Sequence, residues 1–124
     1  MWRIMLSLIL LAAFCAAIIV PANVMAESGE ETYRLYCVQC HGTQGNGSGI
    51  NRTSGGLSVS PIDHTSAKLM GKRSDKKLRL VITKGGDAVS KSELMPPFGN
   101  TLTEKQIEAL VRYLRHLCKC KGAK

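Results

Sequence analysis

Cys37-Val38-Gln39-Cys40-His41 is the pentapeptide on which the reading of this chain turns. Two thiols at this spacing can add to the two vinyl groups of a haem while the residue immediately after the second reaches the iron, the C-x-x-C-H pattern of c-type attachment. A thioredoxin-like redox pair and a zinc half-site share the two cysteines. Both are opposed by the adjacent histidine, by the absence of a βαβ pattern and by the leader described below.

On the N-terminal side, Ser28-Gly29-Glu30-Glu31 is a capping-box pattern, and Tyr33, Tyr36 and Cys37 follow at helical spacing. A short helix is therefore expected to run straight into the motif. On the C-terminal side, residues 42–60 are rich in Gly, Ser, Asn and Thr without an apolar period, which predicts an irregular loop laid over a scaffold such as a haem face. Ser74-Asp75 opens a second helix in which Leu78, Val81 and Ile82 share a face, and Gly85-Gly86 closes it. Thr103-Glu104-Lys105-Gln106 is another capping box, followed by the stripe Ile107, Leu110, Val111, Leu114 and Leu117. Three helices joined by long loops imply an all-α domain. The basic tail from Lys119 to Lys124 is expected to fray.

Arg3, the apolar run from Ile4 to Val20, Pro21 and the small-residue ending Val24-Met25-Ala26 form the three regions of a secretory signal. The expected organisation is a signal peptide over 1–26, a haem domain over 27–117 and a Cys-containing tail over 118–124. The apolar run is 17 residues, the lower edge of what spans a bilayer, so an uncleaved anchor is the alternative. Phe14 is too bulky before Cys15 for lipoprotein processing. Either way the domain is placed outside the cytoplasm, in a periplasm-like compartment.

What remains after residue 26 is small for a core of its own. Its aromatic content is low too, since Trp2 and one of the two phenylalanines, Phe14, lie in the leader. A buried macrocycle supplies the missing apolar bulk. Of the 17 Lys and Arg only Arg3 lies in the leader, and none of the 9 Asp and Glu does, so the rest of the chain is formally +7 before haem propionates. That balance favours acidic partners or anionic surfaces.

An electron-carrying haem iron takes a second axial ligand, because a six-coordinate site changes little in geometry on reduction and excludes oxygen. Met70, Met95, His64 and His116 are the candidates. Met95 is preferred: Pro96-Pro97 stiffens the loop behind it, Phe98 follows to cover a haem edge, and the stretch has no helical period. Met70 reads as a core methionine under the haem, His64 beside Asp63 as a loop hydrogen-bonder, and His116 as a half-exposed helix residue.

Taken together, Cys37 to His41, the loop Gly42-x-x-Gly45-x-Gly47-x-Gly49, Leu94-Met95-Pro96-Pro97-Phe98 and the final helix resemble the class I c-type cytochrome family over about residues 28–117. The resemblance implies a small all-α fold of three to five helices around one covalent haem c, with the first and last helices crossing where Gly29 and Tyr33 meet Tyr113. It implies Cys37 and Cys40 as the attachment residues, and His41 and Met95 as the axial ligands of the iron. In many relatives a proline after the Gly-rich loop accepts the hydrogen bond of the ligand imidazole through its carbonyl. Here Ile50 follows Gly49, and its carbonyl is the expected acceptor.

Lys68, Lys72, Arg73, Lys76, Lys77, Arg79, Lys84 and Lys91 lie between the two ligand segments, either a solvated face or a docking surface for acidic redox proteins. With no aromatic stacking platform, nucleic acid is not an expected partner. A membrane would enter only through partner complexes or a retained leader. Cys118 and Cys120 lie at i and i+2, on different sides of a helix, so a mutual disulfide needs the helix to end first; a link to a partner chain and two free thiols are the alternatives.

The function these features imply is a one-electron carrier between extracytoplasmic redox partners, not an enzyme. An open-site haem catalyst or gas sensor would need Met95 detached, and a haem subunit held in a respiratory complex is the third reading.

Overall fold

Ser28 is the N-cap of the first described helix, its hydroxyl accepting the amide of Glu31 at 3.0 Å. The computed structural model describes residues 28–124, so the leader expected over 1–26 lies outside the described residues. Helix α1 (Gly29–Tyr36) bends at Cys37 into the single turn α2 (Val38–His41), so the motif closes the first helix as its spacing predicts. The single turn α3 (Ile50–Thr53) follows. It corrects the expectation of a wholly irregular loop over 42–60: Gly49 supplies an extended N-cap and its carbonyl accepts the amides of Arg52 and Thr53 at 2.9 and 3.0 Å.

Helix α4 (Ala67–Met70), helix α5 (Asp75–Lys84), a 3-10 turn over Asp87–Val89 and helix α6 (Glu104–Cys118) complete the described chain, which contains no strand. Ser66, Ser74 and Thr103 cap α4, α5 and α6 with their hydroxyls. At Thr103 both halves of the capping box form with Gln106. The three long helices are those the apolar periods predict. The remaining turns are too short to carry a period.

Helices α1 and α6 cross. A Cβ on Gly29 would run into the Ala109 carbonyl and the Tyr113 side chain, so the close approach demands glycine. The rings of Tyr33 and Tyr113 then meet at 5.4 Å. Ile107, Leu110, Val111 and Leu114 turn into the core with Leu78 and Ile82 of α5.

The tail is tethered where fraying is expected. Helix α6 ends at Cys118, Lys119 takes a left-handed turn at φ 49°, and Cys118 and Cys120 are joined as a disulfide with 5.2 Å between their Cα atoms. The condition that the helix end first is therefore met. Beside it Arg115 donates to the carbonyls of Met70 at 2.9 Å and Arg73 at 2.5 Å and pairs with Asp75 at 2.8 Å, tying the end of α6 to α4 and α5.

Candidate haem site

A cavity of about 450 Å³ opens between the α1–α2 corner, α5, α6 and the loop around Met95. Its walls are mainly aliphatic: Leu78, Val81 and Ile82 come from α5, Leu110 and Leu114 from α6, and the fully buried Met70 from α4. Cys37, Cys40, His41 and Met95 all line it. The four residues singled out in two separate stretches of sequence thus face one space.

His41 Nδ1 donates to the Ile62 carbonyl at 3.3 Å. The acceptor is therefore not Ile50: α3 and the residues after it carry the chain away, and it returns through Pro61-Ile62 only twelve positions later. Burial lowers the imidazole's pKa, partly opposed by that hydrogen bond, so the ring is held neutral with Nε2 as the lone-pair nitrogen.

His64, read from sequence as a loop hydrogen-bonder, is hydrogen-bonded, only 7 % exposed, and also lines the cavity. Its ring stacks on His41, centroids 4.3 Å apart and planes 18° off parallel. Burial first, then the neighbouring His41, drops its pKa to about 3. No periodicity surrounds His64 or Ile62: His64 could be named from its residue type, but neither its stacking on His41 nor the role of Ile62 could be found from pattern alone.

Cys37 and Cys40 are unpaired thiols. Burial, then the proximity of Cys40, pushes the Cys37 thiol up to about 12. A redox-active pair favours the opposite shift, and the described residues contain no strand for a thioredoxin-like βαβ unit.

The Met95 loop is fastened to the end of α5. Gly86 N–H donates to the Met95 carbonyl at 2.9 Å, Phe98 N–H to Ile82 at 2.9 Å and Gly99 N–H to Thr83 at 3.0 Å. Phe98 lines the cavity and meets Tyr36 edge-on at 5.9 Å.

The family model described as cytochrome c oxidase, cbb3-type, subunit III matches residues 24–114. The chain belongs to this c-type cytochrome family. Among solved structures the cytochrome is similar to the KustC0563 c-type cytochrome, with 29% identity over 73% of this chain and 96% of that one and a TM-score of 0.58. It is also similar to a chain of the Kuenenia stuttgartiensis reducing HAO-like protein complex Kustc0457/Kustc0458, at 26% identity and a TM-score of 0.57. That match covers 81% of this cytochrome but 45% of that chain. No curated protein matches. Membership brings with it a covalently bound haem c and haem-based electron transfer.

The residues of this cytochrome fit that group. A hollow of this size walled mainly by aliphatic side chains suits a large, flat apolar occupant. The donor set, two thiols, an imidazole and a thioether, suits a haem and no hard cation. Arg73, Lys77 and Lys91 border the same cavity, which brings part of the basic cluster between His41 and Met95 to its rim. His116, the remaining candidate, lies exposed on α6 beside Tyr113 at 6.4 Å.

Proposed function

We propose that this cytochrome is a one-electron carrier holding one haem c through thioethers to Cys37 and Cys40, with His41 and Met95 as axial ligands. The observation that carries the reading is that His41 and Met95, 54 positions apart in sequence, line one apolar cavity together with both thiols. Bound haem c supplies the Fe(II)/Fe(III) couple.

The chain's own residues do the rest. Ile62 holds the proton of His41 on Nδ1, which keeps Nε2 available for coordination. The soft thioether of Met95 favours the reduced iron and raises the potential. The aliphatic walls of α5 and α6 keep water out. Arg73, Lys77 and Lys91 on the rim attract acidic redox proteins, an effect that weakens as salt rises. The segment 1–26 acts as an export signal, which places the carrier outside the cytoplasm and predicts a mature N-terminus at or near Glu27 by N-terminal sequencing.

Substitution of Met95 is the decisive test. Met95→Ala abolishes the ferric thioether charge-transfer absorption, lowers the potential and lets carbon monoxide bind the ferrous protein, while Met70→Ala and His116→Ala keep the band. A wild type that lacks the band and binds carbon monoxide rapidly sinks the carrier reading in favour of an open-site catalyst or sensor.

A second reading, a haem subunit held in a larger assembly, is favoured by the family's oxidase-subunit description and by Tyr36 and Leu94, which line the cavity yet are 40% and 52% exposed. Stoichiometric co-purification under mild detergent distinguishes it from a free carrier.

A further inference from the structure

The wall behind His41 is built with more polar detail than packing requires. Among the described residues the buried polar side chains are Thr32 and His64, and an aliphatic side chain would fill the place of His64 without the cost of burying an imidazole. Instead the chain clamps it. Its backbone N–H donates to the Gly45 carbonyl at 2.6 Å. Asp63 holds the turn beyond it by accepting the amide and hydroxyl of Thr65 at 2.8 and 2.6 Å. Its ring lies edge-on to Tyr33, with Nδ1 3.5 Å from the phenol oxygen. The single phenol proton goes to the Gly42 carbonyl at 3.1 Å, so Nδ1 of His64 is the donor to Tyr33. A Cβ on Gly45, at φ +78°, would lie 3.3 Å from the His64 Cβ, so the loop approaches this closely because the residue is glycine.

We propose that His64 is a positioning residue for His41, its parallel imidazole fixing the rotation of the ligand ring that a single hydrogen bond to Ile62 leaves free. This rests on the reading of His41 as an axial ligand. A hydrogen bond at Nδ1 restrains an imidazole at one point, and the ring can still rock about the axis through Cβ and that contact. A second ring, its centroid 4.3 Å away and its plane 18° off parallel, lies against the face and restrains the motion. Ile62 and His64 are two residues apart, so one short segment delivers both restraints. Tyr33 ties that segment to Gly42, the neighbour of His41. Ring orientation matters because the imidazole plane sets the overlap of its π system with the iron d orbitals.

The test uses the protein with its haem attached. In the diamagnetic ferrous wild type, ring protons of His41 shifted far upfield identify it as a ligand, and nuclear Overhauser contacts from them to the His64 ring are expected. In the ferric protein, His64→Leu broadens and shifts the low-field electron paramagnetic resonance signal and reorders the haem methyl proton shifts. His64→Phe, which keeps a flat face against His41, restores both towards wild type. The thioether absorption persists in all variants. Missing ring contacts in the wild type, or a His64→Leu protein with wild-type spectra and potential, overturn the positioning role. Should His64→Leu fail to fold, the wild-type contacts and Tyr33→Phe, expected to broaden the same signal to a lesser degree, decide the matter. Absence of upfield His41 resonances overturns the ligand reading itself, and with it this one.

Discussion

Two cysteine pairs in one small domain end in opposite chemical states. Cys37 and Cys40, three apart at a helical corner, face a common cavity as separate thiols, whereas Cys118 and Cys120, two apart across a helix end, bond to each other. The difference is one of direction. Residues at i and i+3 share a helix face and present both sulfurs to a third body, while i and i+2 diverge until the helix stops and the backbone reverses. At the tail the left-handed Lys119 supplies that reversal. Spacing and local backbone, with no change of residue type, separate a pair turned to a shared cavity from a staple.

The largest effect should come from the first pair. Replacing Cys37 and Cys40 together with alanine removes all haem that survives denaturing electrophoresis, whereas Cys118→Ser with Cys120→Ser retains it in full; haem staining and intact mass compare the two. A middle effect is expected beside the second pair. Arg115→Gln deletes charged hydrogen bonds to Met70 and Arg73 and lowers unfolding stability by about 2 kcal/mol, read from urea titration with the haem spectrum unchanged. The smallest belongs to the staple itself. Cys118→Ser with Cys120→Ser opens a very short loop and costs about 1–2 kcal/mol on the chain-entropy account. A staple variant that loses its haem, or an anchor variant that keeps it, would erase the distinction.

The sequence carried the fold further than it carried the site. Helix α6 was readable because its capping residues and apolar stripe are local signals, and the crossing with α1 was implied by Gly29, Tyr33 and Tyr113 in the family resemblance. The C-x-x-C-H motif is local as well. The contacts of Ile62 and His64 with His41 were out of reach because they form only after a turn of helix at Ile50–Thr53 and an irregular return. Contacts of that kind depend on loop geometry, which leaves no period in sequence. The expectation at Ile50 failed for the same reason: it assumed that the residue after the last loop glycine stays beside the imidazole.

Three backbone hydrogen bonds hold the loop around Met95 to the end of α5, and their consequence is kinetic. A thioether on a loop anchored at its own carbonyl and again three and four residues on does not diffuse away when its bond to a metal breaks. It remains a tethered competitor at high effective concentration, and re-closing is an intramolecular event. Under the proposed ligation, an incoming small ligand therefore wins only in the brief interval after the sulfur has left. Its observed binding rate should level off with concentration at the rate of that departure; weakening the sulfur lifts this ceiling, whereas cutting the tether only lowers the ligand concentration at which it is reached.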